Sequence, residues 1–322
     1  MKELFEQVVF SVDGRDYMWE DVVLAAESRG DWAKLRERAA EGFALLRRWE
    51  EEPEALEEAE IESAANEFRY DRDLISAEEM ETWLARWGLT AESWMDYVRG
   101  TLLRRKWSGE PTGIAESSSS EPEFEDHLLA EAVCSGELRR LAETLAGRAA
   151  IAAREKEPPA AGPSRRESLA PLEDTFRRFS ERLVTPEAIR AQIRAAQTDW
   201  TRLDCRCAAF PSEEAAREAA LGVRTDGRTL DEVARDANRE ARAEEIYVEK
   251  TPPESRALFL GARKGDLIGP VPNGDEFLLY FVLDKVLPSE EDESIVRRAR
   301  EALVARVVEA EMNDRVKWRW RF

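Results

Sequence analysis

The chain has 322 residues, a length for about two domains, and is 43% hydrophobic and 36% charged with 10 Trp. That is too apolar and aromatic for a disordered chain. Acids outnumber bases 68 to 48, a net charge of −20, which argues against nucleic-acid and membrane-surface partners, since both select basic faces.

The N-terminus, MKELFEQVVFSVDGRDY, carries acids in its first six residues and lacks the apolar core of a signal peptide. No stretch approaches the ~20 apolar residues of a membrane span, so a cytoplasmic protein is expected. Val8–Val12 reads as a short strand ending in a turn at Asp13-Gly14. Helical stripes follow. Trp32, Leu35, Ala39, Phe43 and Leu46 recur at helical spacing over 31–49, with Asp31 as the expected N-cap. Ile61, Ala64, Ala65 and Phe68 repeat the pattern over 54–70, with Pro53 at the helix start. Ser76 to Glu79 is a capping box for a helix bearing Met80, Trp83, Leu84 and Trp87 and stopped by Gly88. Thr90 caps the next helix, which turns Trp94, Val98 and Leu102 inward. The tryptophans at helical spacing read as core rather than as a client groove.

Two low-complexity stretches, Ser117–Ser120 and Pro158–Ser164, mark linkers near 108–122 and 156–168. Between them 124–155 is helical with a break near Gly136, and His127 is expected on an exposed face. After the second linker come a helix over Leu172–Leu183 and one opened by Thr185-Pro186-Glu187, with the stripe Ile189, Ile193, Ala196, Trp200.

From about 202 strands and helices alternate. Leu203–Phe210 is a strand, Ser212 opens a short helix ending at Gly222, and Thr229 to Glu232 is another capping box. Asn273-Gly274 joins a hairpin, Leu267–Val271 with Glu276–Val286. Phe277–Leu283 is apolar without alternation and is expected to be buried on both faces. A helix over 291–312 leads into Arg315–Phe322, where Val316, Trp318, Trp320 and Phe322 alternate with basic residues. That octapeptide predicts a half-buried strand, and Val8–Val12 is its natural partner.

Chemistry-bearing patterns are few. The single histidine, His127, excludes any mechanism needing two imidazoles and any His-rich zinc site. No metal-ligand spacing, phosphate loop or serine nucleophile elbow is found, so no metal, cofactor or catalytic residue is assigned. Cys134, Cys205 and Cys207 form no CxxC pair, which fits a reducing compartment. On a strand, Cys205 and Cys207 point the same way roughly 6.5–7 Å apart, at or beyond disulfide reach.

Residues Arg202 to Pro288 resemble a parvulin-type peptidyl-prolyl isomerase domain. The matching stretches are CRCAAFPSEEAAREA, the helix TLDEVARDANREA, and PPESRALFLGARKGDLIGPVPNGDEFLLYFVLDKVLP. The flanks resemble SurA-type chaperones, which open with a strand like VVFSVDGRDY, continue as a helical N-domain, and receive a returning C-terminal helix and strand, here 291–322. The resemblance implies an α+β fold: a mainly helical SurA-like domain closed by N- and C-terminal strands, plus a small parvulin-like α/β domain. The expected division is 1–200, 201–288 and 289–322, the last returning to the first domain.

The same resemblance implies a site. The two family histidines fall at Arg206 and near Leu278, so neither is present. Asp236 lies near a family Asp or Cys position, and Phe259, Leu278 and Tyr280 would wall the proline pocket. Peptide contacts are therefore expected from Phe259, Tyr280, Leu278, Arg206 and Asp236, with Arg206 pairing Asp236 across the pocket. The implied function is a non-catalytic chaperone or accessory protein for a polypeptide or precursor-peptide client, because some members accompany enzymes that mature ribosomally made peptides. An isomerase with a rearranged site and a structural partner in an enzyme assembly remain as alternatives.

Overall fold

The computed structural model describes residues 2–108, 122–157, 164–320 and 322. In chain order the elements are α1 (Lys2–Phe5), β1 (Val8–Val12), β2 (Arg15–Met18), α2 (Trp19–Arg29), α3 (Asp31–Glu51), α4 (Glu58–Tyr70), α5 (Ala77–Trp87), α6 (Ala91–Lys106), α7 (Pro122–Cys134), α8 (Glu137–Arg154) and α9 (Arg165–Leu183). There follow α10 (Pro186–Ala195), β3 (Arg202–Phe210), α11 (Glu213–Thr225), α12 (Leu230–Asp236), β4 (Arg242–Tyr247), α13 (Arg256–Gly261), β5 (Leu267–Asn273), β6 (Glu276–Val286), α14 (Glu293–Arg315) and β7 (Val316–Trp318). The fold is α+β, mostly helical with two small antiparallel sheets. No described helix is long and apolar enough to cross a membrane.

Two compact units form, residues 1–180 with 307–322, and residues 181–306. In the first, β1 pairs antiparallel with β2 through the Asp13-Gly14 turn and with β7 on its other edge, Phe10 opposite Trp318 and Val12 opposite Val316. The two ends of the chain thus close one sheet. β1 is buried on both faces from Val9 to Val12, and Phe10 stacks on Tyr17 with centroids 4.8 Å apart. Trp19, Trp87 and Trp320 form an aromatic knot, with Trp320 centred 4.9 Å from Trp87 and 5.6 Å from Trp19. Local signals set the surrounding helices. Ser76 Oγ accepts from the Glu79 amide while the Glu79 carboxylate accepts from the Ser76 amide, and Gly88 ends α5 in the left-handed region at φ 67°. Trp87 and Trp94 are buried in the core and Trp83 is packed against it.

In the second unit, the sheet order is β4-β3-β6-β5. One face carries Leu203, Cys205, Cys207, Leu278, Tyr280 and Val282 against α13. The other carries Ala208, Phe210 and Leu279 against α11 and α12. A further cluster joins Ile189, Ile193, Ala196 and Trp200 to Ile295, Ala299 and Leu303 of α14.

Several expectations change. The division expected at 200 and 288 falls at 180 and 306, because the α10 stripe buries its apolar face on the first half of α14. The strand expected over 315–322 is only Val316–Trp318; Arg315 ends α14, and the Arg319 and Trp320 amides both donate to the Val9 carbonyl, which closes the ladder. Asp31 is the first helical residue rather than the cap, which is Gly30. Pro53 opens a separate 3-10 turn, and Glu57 caps α4. α11 runs past Gly222 to Thr225. The β6 run is buried on both faces only through Leu278–Tyr280, and Leu283 is exposed. The Ser117–Ser120 run and residues 158–163 lie outside the described residues, but the second linker ends by Ser164. There α9 begins, drawn into a helix through Pro171 by the burial of Leu169 and Leu172.

His127 is the largest correction. It is 4% exposed, not on a surface face. Gly42 on α3 makes the room: a Cβ there would lie 3.0 Å from His127 Nε2. A helix that looks polar at its start is thereby buried against a neighbour that only the tertiary fold supplies.

Candidate functional site

The residues singled out from the sequence fall on both faces of the second sheet. β3 alternates, so Cys205 and Cys207 point to the α13 face while Arg206 points to the α12 face. On the α13 face, Cys207 lies opposite Tyr280 and Ala209 opposite Leu278 across β3 and β6, and Cys205 lies opposite Glu244 across β3 and β4. Phe259 of α13 covers this group, its ring edge-on to Tyr280 at 5.3 Å. Phe259, Leu278 and Tyr280 are thus brought together as expected. They are, however, 2%, 8% and 7% exposed, so they meet one another more than a ligand.

Arg206 and Asp236 are not brought together. Arg206 instead forks onto Asp231 of α12, its Nε donating to Asp231 Oδ2 at 3.1 Å, and its Nη2 donates to the Ala241 carbonyl at 2.6 Å. This pair holds the Asp231 carboxyl below its ordinary range. Asp236 pairs with Arg228 instead. The capping box at Thr229 explains the swap: it starts α12 so that Asp231, in the first turn, faces β3 and Asp236, at the end, does not.

Cys207, one residue beyond Arg206 and on the opposite face of β3, has Tyr280 as its cross-strand neighbour. Burial pushes the Cys207 thiol up to about 12, with the Glu244 carboxylate adding to the effect. Burial likewise pushes the Tyr280 hydroxyl up, reinforced by Cys207 and Glu244. Both stay protonated at neutral pH, so the pair offers hydrogen-bond donors but no base. The Cys205 thiol, pushed up to about 12 by burial, is equally inert, and all three cysteines are free. No group of three or more His, Cys, Asp or Glu among the described residues is arranged to hold a metal.

Open surface lies elsewhere on this unit. β5 is an edge strand, and beside it runs a groove of about 650 Å³ lined by Val223 and Arg224 of α11, Leu258 of α13, Leu267 and Pro270 of β5, and Phe281 of β6. Leu258 is 55% exposed at its rim. Arg224 Nη2 donates to the Leu267 carbonyl at 3.0 Å, so a side chain rather than a strand occupies this edge. Sequence reading missed this groove. The signal available was Leu258 and Val223, apolar residues left over once the helix stripes were assigned.

No protein-family model matches the chain, and no curated protein matches it. Among solved structures it is similar to the foldase protein PrsA from Streptococcus pneumoniae str. Canada MDR_19A, at 12% identity over 96% of this chain and 88% of that one, with a TM-score of 0.29. It is also similar to a structure from a study of PEB4 and Cj1289, two structurally related SurA-like chaperones of Campylobacter jejuni. There the identity is 9% over 97% of this chain and 99% of that one, with a TM-score of 0.20.

Proposed function

We propose that this protein holds an unstructured polypeptide without chemical turnover, as a chaperone or accessory protein built on a SurA-like frame with a degenerate parvulin-type domain. The observation that carries the reading is the groove of about 650 Å³ beside the edge strand β5, apolar along Leu258, Leu267 and Phe281. An extended chain entering it would exchange its backbone amides for the Arg224 guanidinium at the Leu267 carbonyl. The buried, protonated Cys207 and Tyr280 support a role without catalysis. The net charge of −20 favours apolar or basic clients.

Within this reading the client is the precursor of a ribosomally made peptide, the partner is its maturation enzyme, and the setting is the cytoplasm, in keeping with three unpaired thiols. The test is titration of a labelled unfolded peptide against the wild type and Leu258→Asp. Micromolar-class binding that the substitution weakens supports the proposal; equal binding, or none, refutes it. A protease-coupled Ala-Pro assay on the same samples should show no acceleration over the uncatalysed barrier of about 20 kcal/mol. A rate typical of parvulins would instead establish an isomerase with a rearranged site.

A further inference from the structure

The groove beside β5 runs along a guarded edge. Leu267 and Gly269 stand two apart on this strand, and one side chain serves both carbonyls. Arg224, in the last turn of α11, donates from Nη2 to the Leu267 carbonyl at 3.0 Å and approaches that of Gly269 at 3.5 Å. Ile268 between them lies opposite Tyr280 of β6, so the ladder takes its backbone groups and leaves those of its neighbours turned outward. Pro270 and Pro272 follow and have no N–H to offer. The stretch that another strand can join is therefore Leu267–Gly269, and a guanidinium fills it.

The partner Arg224 takes is informative. Acids outnumber bases 68 to 48 in this chain, and Arg217, on the same helix, pairs with Glu213. Arg224 makes no ion pair among the described residues and places its donors on the sheet edge instead. Arg224 is exposed, and a solvent-facing hydrogen bond of this kind has a small net value, so other donors can replace it.

A second observation says what replaces it. Guarding an edge against stray pairing needs only a charge or a proline. Here the guard stands among apolar side chains, Val223, Leu258 and Phe281, and Leu258 is 55% exposed. Backbone acceptors flanked by apolar walls suit an extended polypeptide, which brings amides and side chains together.

We propose that Arg224 is an autoinhibitory cap on this groove, displaced when a proline-free extended segment adds to β5. Amides two residues apart in that segment donate to the Leu267 and Gly269 carbonyls, its side chains cover Leu258 and Phe281, and the guanidinium returns to solvent. This cap rests on the polypeptide-holding reading above, and it adds the class of segment held and the residue that controls entry. Proline at either donor position lacks the N–H and excludes that register.

The probe is a fluorescein-labelled peptide amide, Lys-Val-Thr-Val-Thr-Lys, titrated into the full chain and followed by anisotropy. Arg224→Ala should bind it about threefold to tenfold more tightly than the wild type, the value of one hydrogen bond no longer given up. Arg217→Ala removes the same charge from the same helix without touching β5 and should bind like the wild type. Two analogues, N-methylated at both Val amides or at both Thr amides, block opposite edges of the extended peptide; one should lose binding and the other keep it. Arg224→Ala binding no more tightly than the wild type, or two analogues that bind alike, overturns the cap. Equal binding by wild type and Arg224→Ala, weakened in both by Leu258→Asp, refutes the cap and leaves the holding reading intact, whereas binding by neither protein refutes the holding reading. Arg224→Ala that binds no peptide but self-associates in sedimentation makes the occupant a second copy of this chain and refutes the client segment.

Discussion

Trp320 and Trp318 sit two residues apart near the C-terminus, and their substitution should separate what the terminal segment contributes. Trp320 is 6% exposed and centred within 6 Å of both Trp19 and Trp87, with Arg86 4.7 Å above its ring. Trp320→Ala therefore opens a cavity in an aromatic knot and should cost the first unit about 3–5 kcal/mol. Loss of the Arg86 contact accounts for about 0.5–1 kcal/mol of that. Its Nε1 has no hydrogen-bond partner, so Trp320→Phe removes an unsatisfied donor and should cost less than Trp320→Ala. Trp318 is 38% exposed and leans on Phe10 and on Phe322, itself 40% exposed at the chain end. Trp318→Ala should cost about 1–2 kcal/mol. Urea unfolding followed by near- and far-UV circular dichroism measures this, with the second unit's transition as internal reference because a two-unit chain need not unfold in one step. Equal losses at the two positions, or a Trp320→Ala protein that unfolds like the wild type, would refute the placement of the terminal segment in the core.

Three further outcomes follow from the geometry. His127 titrates at about 4 when folded and near 6.5 when unfolded, so the unfolded chain gains the proton first; its contribution is complete above pH 6.5 and is lost as pH falls toward 4, up to about 3 kcal/mol. Stability measured from pH 7 to 5, where most carboxylates remain ionised, should fall less steeply in His127→Gln. Phe259→Ala should destabilise the second unit by about 3–5 kcal/mol in a thermal melt, since the ring is 2% exposed against Tyr280; a neutral effect would mean that it faces a pocket instead. Asp231→Asn should lower stability by at most about 1 kcal/mol, because the Arg206 pair is partly exposed, while a double-mutant cycle between Arg206 and Asp236 should show no coupling.

Local structure was legible from the residues alone wherever a short motif fixes it. The capping boxes at Ser76 and Thr229, the Gly88 stop and the Asn273-Gly274 hairpin specify elements within a few residues. The alternation in Val316–Phe322 foretold a strand needing a partner, and Val8–Val12 is that partner. What alternation does not report is which face meets which neighbour. A one-residue error moves a side chain through the sheet, and that separates Arg206, bonded to Asp231, from Cys207, against Tyr280. β4 escaped notice because its sequence, RAEEIY, buries only Ile246 and otherwise carries the charge of an edge strand. His127 stands in the acidic run EFEDH, which reads as solvated; its ring is buried where Gly42, 85 positions away in sequence, presents no side chain. Caps and turns act over three or four residues, so the chain declares them locally. Burial, ion-pair partners and open grooves depend on which surfaces packing brings together, and only the tertiary structure decides that.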